Sequence, residues 1–277
     1  MNQMKLCARF LPLFTLTLAG CSAISVSAQS LMMAHPDDSS RKIEYFIEEP
    51  AGRGPWPTVV FLHGHQDGPR PGGKDFVTWG VLDRFAKRGY LAVAVSQPGY
   101  GGSTGPADFC GRYTQDAVSA VITKLRKDGY ASPDKVLIEG ISRGALVAGL
   151  IAAHDPSITG IVLISGLYDL PQFMANSESR QAKLVAQSII EETGGGDDAL
   201  RARSVLYFAQ NIRAATLIMN GAKDDRTYPE QARRLAKEIK AHGGKARIIV
   251  YADYGHQIPV GVRDSVIDQF IEGVVGK

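Results

Sequence analysis

Cysteine is scarce: Cys7, Cys21 and Cys110 are the three among 277 residues, too few for a disulfide-built scaffold. An excess of one charge is lacking as well. Lys and Arg number 31 against 28 Asp and Glu, and with Lys5 and Arg9 set aside as part of an amino-terminal leader the balance is 29 to 28. No basic stripe gathers anywhere, which removes the electrostatic footprint of a nucleic-acid binder and any pull toward a strongly acidic partner. No self-similarity recurs at a period of about 20 to 50 residues, so a solenoid is excluded. The 30 glycines and 14 prolines follow no period, which excludes a collagen-like or proline-rich linker chain. What is present is ordinary globular usage: 44% hydrophobic and 21% charged residues, enough apolar side chains for one domain with a full core.

Residues 1–28 have the layout of a secretory signal: Lys5 and Arg9, an apolar stretch from Phe10 to Leu18, then small residues. The apolar run is interrupted by Pro12, Thr15, Thr17 and Gly20, and falls short of the roughly 20 residues a spanning helix needs. Two exits compete. Val26-Ser27-Ala28 before Gln29 fits ordinary cleavage and leaves a domain over 29–277, whereas Leu18-Ala19-Gly20-Cys21 resembles a lipobox, with a leader over 1–20 and a lipidated Cys21. Either exit places the mature chain outside the cytoplasm, periplasmic or secreted, with membrane contact only through a lipid on Cys21. Cys110 is then the remaining thiol, without an internal disulfide partner.

From residue 57 onward, short apolar runs alternate with amphipathic stretches. Pro57–Leu62, Leu91–Val95, Lys135–Glu139, Gly160–Ser165, Ala214–Met219 and Ala246–Tyr251 read as buried strands of a mostly parallel sheet. Phe76–Arg88, Asp116–Lys127, Arg143–Ala153, Glu230–His242 and Val260–Val274 read as helices, several closed by a glycine such as Gly89, Gly129 or Gly243. This alternation predicts a doubly wound α/β chain. The interval of about 170–210 breaks it with an amphipathic stretch near Gln181–Glu192 followed by Gly194-Gly195-Gly196. It reads as a small helical cap over the strand ends, where open α/β sheets take their ligands.

Gly140-Ile141-Ser142-Arg143-Gly144 joins a predicted strand to a predicted helix. A serine on so sharp a turn is pushed out at the top of the sheet, and small residues two positions to either side let the turn close. The amide of Arg143 then starts the helix and faces any developing negative charge. The plain alternative is a turn serine that caps a helix. Two later segments decide between them. Asn220-Gly221-Ala222-Lys223-Asp224-Asp225 sets carboxylates after one strand, and Tyr254-Gly255-His256 sets an imidazole after the next. Ser, Asp, His in that order is the arrangement in which a base activates a hydroxyl and an acid orients the base.

With these residues the chain resembles the α/β-hydrolase superfamily, and within it the catalytic domain of the prolyl oligopeptidase-like serine hydrolases, peptidase family S9, over roughly 55–276. The resemblance is carried by Leu62-His63-Gly64, Pro98-Gly99-Tyr100-Gly101-Gly102-Ser103, Asp116-Ala117-Val118, the turn at Ser142, Tyr168-Asp169-Leu170, and the loops of Asp224 and His256. It implies an α/β-hydrolase fold and a Ser142, Asp224, His256 triad, with Asp225 left to loop amides or solvent. It also implies an oxyanion hole from the backbone amides of His65 and Arg143. The N-terminal β-propeller of the large peptidases has no counterpart. His65 stands where the family has the second glycine of His-Gly-Gly, Arg143 where an aromatic is common, and Ala145 in place of a further glycine. These departures count against a proline-specific peptidase. The expected activity is esterase-like cleavage of ester or amide bonds in small or medium substrates, with a peptidase on short peptides as the alternative, and no cofactor.

Other residues have competing readings. His63-Gly64-His65-Gln66-Asp67 also resembles the opening of the zinc site in metallo-β-lactamase-like hydrolases, in which a further histidine follows the aspartate; here that residue is Gly68. A metal-dependent hydrolase on His63, His65 and Asp67 is therefore the second mechanism, although no resident metal is expected. A non-catalytic binding protein on the same scaffold is the third. Tyr168, Phe173 and Met174 stand at the cap entrance and read as acyl-pocket lining or as core. Cys110 reads as inert packing. His154 and His242 read as helix C-terminal residues favoured by the dipole. The Arg143 side chain reads as solvated, or as a contact for an anionic substrate. The sequence leaves the oligomeric state open.

Overall fold

The computed structural model describes residues 28–276; the expected leader and Cys21 lie outside them. An eight-stranded sheet runs in the order β1-β2-β4-β3-β5-β6-β7-β8. The parallel part comprises β3 (Trp56–Leu62), β4 (Leu91–Val95), β5 (Ala131–Ile141), β6 (Gly160–Ile164), β7 (Ala215–Gly221) and β8 (Ala246–Tyr251). β4 and β6 are buried at every residue, as strands covered on both faces must be. Val60, Leu62, Val136 and Ile138 point to one apolar layer and Val59, Phe61 and Leu137 to the other, following the two-residue period of a strand.

Three helices cover the first face: α3 (Arg112–Lys127), α4 (Arg143–His154) and α8 (Pro229–Ala241), through residues such as Val121, Leu146 and Leu235. The second face is covered by α1 (Lys74–Thr78), α2 (Val81–Ala86) and α9 (Val260–Val275). Between β6 and β7 lie α5 (Leu170–Ala175), α6 (Arg180–Thr193), α7 (Asp197–Arg201) and a 3-10 turn at Val205–Asn211. Among the described residues no helix is long and apolar enough to cross a membrane.

Two sequence expectations are corrected. The single helix over Phe76–Arg88 is two short helices separated by Trp79 and Gly80, because Gly80 sits at φ 70°, a left-handed conformation that interrupts a helix. Helices of 5 and 6 residues do not hold by themselves; burial of Phe76, Leu82 and Phe85 against Phe61 holds them. The sheet also begins earlier than expected. β1 (Gln29–Ala34) and β2 (Lys42–Glu48) form an antiparallel pair that joins β4, so the fold is mixed at this edge.

Candidate active site

Ser142 follows β5 and caps α4 with φ 54° and ψ −114°. A non-glycine residue takes such a conformation only where its surroundings enforce it. They do: the Ser142 amide donates to the Ile164 carbonyl of β6 at 2.7 Å. A Cβ on Gly140 would lie 2.2 Å from the Gly144 carbonyl oxygen, and one on Gly144 would lie 2.2 Å from that of Leu62. Only glycine lets strand, turn and helix approach so closely, which is the physical content of the pentapeptide.

The next two loops are laced together through their backbones. Ala222 N donates to Tyr251 O at 2.8 Å and Lys223 N to Tyr254 O at 2.9 Å, so the loops after β7 and β8 are held side by side. They bring Asp224 to His256 and His256 to Ser142. The imidazole Nδ1 lies 3.0 and 3.2 Å from the two Asp224 carboxylate oxygens, and Nε2 lies 3.1 Å from Ser142 Oγ. Asp225 is on the surface, with its carbonyl accepting from Ser179 Oγ at 2.6 Å.

Burial by itself would raise the Asp224 carboxyl. The hydrogen bond and charge of His256, with the amide and hydroxyl of Thr227, outweigh it and hold the carboxyl below its ordinary value. Oδ1 accepts from the amides of Arg226 and Thr227 at 2.9 and 3.0 Å; Oδ2 accepts from Thr227 Oγ1 at 2.7 Å and Asn220 Nδ2 at 3.2 Å. An ionised carboxylate only accepts, so Nδ1 of His256 carries the proton and the Nε2 lone pair faces the serine hydroxyl. Such a line can draw a proton from Oγ as the oxygen attacks an electrophile.

The loop after β3 passes beside the serine: a Cβ on Gly64 would stand 3.3 Å from Ser142 Cβ. His63 is buried, its Nδ1–H donating to Gly64 O at 2.8 Å and its Nε2 accepting from Gln97 N at 3.1 Å. Burial pushes its pKa down to about 4, so the ring is neutral and both nitrogens are engaged. His65 turns elsewhere, to Asp67 at 2.9 Å and to the Tyr100 hydroxyl at 3.1 Å. His63 thus has no free lone pair for the metal arrangement weighed from the sequence. Among the described residues, no group of three or more His, Cys, Asp or Glu side chains is placed to hold an ion.

The Arg143 side chain is neither solvated nor open to a substrate. It is 4% exposed, with Nη1 and Nη2 donating to the two carboxylate oxygens of Glu192, near the end of α6, at 2.7 and 2.6 Å. The rings of Tyr100 and Phe109 stand 5.3 and 5.0 Å from the guanidinium carbon. Burial would raise the Glu192 carboxyl, but Arg143 and the Phe109 amide hold it low.

Tyr168 and Phe173 are buried, at 0% and 1% exposure, and Met174 is half-buried against the same core. Burial pushes the Cys110 thiol up to about 12, and Sγ contacts the Arg143 carbonyl at 3.4 Å. His154 and His242 each donate from Nδ1 to the carbonyl four residues back, at 2.8 and 2.9 Å. Sequence reasoning overlooked Thr227, Gln97 and Glu192. Thr227 has a local signal, a hydroxyl three residues after an aspartate; the others have none.

The profile of the prolyl oligopeptidase family matches residues 83–270. Dipeptidyl aminopeptidase BIII of Pseudoxanthomonas mexicana is 25% identical over 238 residues, covering 80% of this chain and 33% of that protein. The chain spans about a third of the length of this relative and of a Bacillus subtilis peptidase that it also matches. Among solved structures, Pyrococcus horikoshii acylaminoacyl peptidase superposes with a TM-score of 0.73 at 18% identity, over 90% of this chain and 42% of that one. An esterase of Pyrococcus furiosus superposes with a TM-score of 0.69 at 19% identity, over 90% of this chain and 92% of its own. Both share the α/β-hydrolase fold.

Proposed function

The chain belongs to the prolyl oligopeptidase family, and from that premise we propose that it is a serine hydrolase that cleaves small esters through an acyl-enzyme on Ser142. The observation that carries the reading is the unbroken line from Ser142 Oγ through His256 to Asp224, at 3.1 and 3.0 Å. As Oγ attacks the carbonyl carbon, its proton passes to Nε2, and Asp224 steadies the imidazolium. The backbone amides of Arg143 and His65 receive the oxyanion; one such donor is worth about 10² to 10³ in turnover. Collapse expels the alcohol, which takes the proton from Nε2. Water then gives its proton to Nε2, attacks the acyl carbon, and the proton returns to Oγ as the acid leaves.

A fluorophosphonate probe and a small activated ester test the reading. The probe is expected to label Ser142, and Ser142→Ala is expected to remove both labelling and turnover while the circular dichroism spectrum stays unchanged. Wild-type turnover in that variant overturns the mechanism. Turnover without labelling overturns it as well, and the absence of both supports a binding protein.

The second reading is hydrolysis of short peptides, favoured by the likeness to a dipeptidyl aminopeptidase. A screen of acyl esters beside aminoacyl and dipeptidyl amides separates the two. On the leader pattern of residues 1–28, the reaction belongs outside the cytoplasm. The N-terminus of the mature chain, Gln29 or a lipidated Cys21, distinguishes the two exits.

A further inference from the structure

Arg143 follows the nucleophile directly, yet its side chain runs away from the serine into a closed polar network. The guanidinium grips Glu192 with two N–H groups, and Glu192 Oε2 also accepts the Phe109 amide at 2.8 Å. The side chains are 2% and 14% exposed. From Arg143 Nε a longer contact of 3.4 Å reaches Gln97 Oε1, while Gln97 Nε2 donates to the His63 carbonyl at 2.7 Å. Tyr100, one of the rings flanking the guanidinium, holds the His65 ring through its hydroxyl at 3.1 Å. Both residues whose amides the proposed mechanism assigns to the oxyanion are therefore linked to one buried ion pair, Arg143 directly and His65 through the Tyr100 ring that flanks the guanidinium.

Helix α6 carries that pair to the other side of the site. Its N-cap residue, Ser179, donates to the Asp225 carbonyl beside Asp224, and its last turn carries Glu192. One helix is pinned to the acid loop at one end and to the nucleophile turn at the other. A buried ion pair adds little net stability, because desolvating both charges offsets their attraction. A bidentate guanidinium–carboxylate pair does fix geometry, since its planar fork permits one relative orientation.

We propose that Arg143 and Glu192 are positioning residues: their buried fork holds the two oxyanion amides in register and makes turnover depend on α6 being seated. The proposal rests on the serine-hydrolase reading above. It gives the insertion helix a part in the chemical step through the backbone, without touching the substrate.

The test compares wild type, Glu192→Gln, and the double variant Arg143→Met/Glu192→Leu, using p-nitrophenyl acetate and a fluorophosphonate. Glu192→Gln strands a buried guanidinium and is expected to lose stability as well as activity. The double variant removes both charges and is expected to fold, as apolar replacements of buried ion pairs do. In it kcat is expected to remain about 10- to 100-fold below wild type with KM nearly unchanged, and labelling of Ser142 to slow in parallel, because transition-state binding is what is lost. A folded double variant with wild-type kcat overturns the proposal. Failure of the double variant to fold does so too, since it assigns the pair to stability alone. A wild-type chain that neither labels nor turns over ester defeats the serine-hydrolase reading itself, a distinct result.

Discussion

Two adjacent aspartates show how much depends on a single residue's surroundings. Asp224 is 4% exposed and meets His256 and Thr227, whereas the side chain of Asp225 is on the surface. Asp224→Asn is expected to lower kcat by about 10⁴-fold with the fold retained, because an amide cannot hold the Nδ1–H tautomer. Asp225→Asn is expected to change stability by no more than about 0.5 kcal/mol and turnover hardly at all. Steady-state kinetics on both variants check the pair; equal losses would refute the assignment. The choice of Asp224 came from the family resemblance, since both aspartates follow the same strand and the residues alone leave them equivalent. The fate of the Arg143 side chain was not legible, since its partner lies 49 positions away and pairing at that distance leaves no local pattern.

At the scale of elements, the site depends on backbones that meet where side chains cannot fit. Gly221 ends β7, and a Cβ there would stand 2.2 Å from the carbonyl oxygens of both Gly255 and Tyr254. Those atoms are main chain, so relief requires the loops after β7 and β8 to part, breaking the Ala222–Tyr251 and Lys223–Tyr254 hydrogen bonds. Gly221→Ala is accordingly expected to cost several kcal/mol, on the order of 3, and to reduce kcat at least 10-fold by moving His256, the neighbour of Gly255. Urea denaturation and ester turnover measure the two effects, and an active variant of wild-type stability contradicts the account. The parallel strands were readable because burial on both faces makes them near-continuous apolar runs, as in β4 and β6. β1 and β2 escaped notice for the converse reason. β1 is a mostly exposed edge strand, and β2 carries Glu44 and Glu48 among its apolar residues. Glu44 is in fact engaged, accepting from Ser96 Oγ at 2.7 Å and Gly102 N at 2.9 Å.

Over the whole molecule, one charge runs against the apolar logic of the sheet. Glu139 lies on β5 at 7% exposure, on the face covered by α2 and α9. Those helices are tied together by Arg84 with Asp264 and Asp268, and Arg88, just beyond α2, also pairs with Asp268. Burial raises the Glu139 carboxyl from 4.5 to about 7, although Arg263 of α9 works against the rise. The folded protein therefore binds this proton more tightly than the unfolded chain does. Its contribution to stability is fully present below about pH 4.5 and is lost as pH climbs through about 7. Glu139→Gln keeps the shape and cannot ionise. Relative to wild type it is expected to be similarly stable near pH 4 and more stable near pH 8, by up to ~3 kcal/mol. The sign is opposite to that of Asp224 and Glu192, whose carboxyls are held low and lose stability as pH falls. Comparing each pH with the variant cancels those groups, so chemical denaturation at the two ends isolates Glu139. A difference that stays constant across the range would mean that Glu139 keeps its charge in the fold, compensated by Arg263.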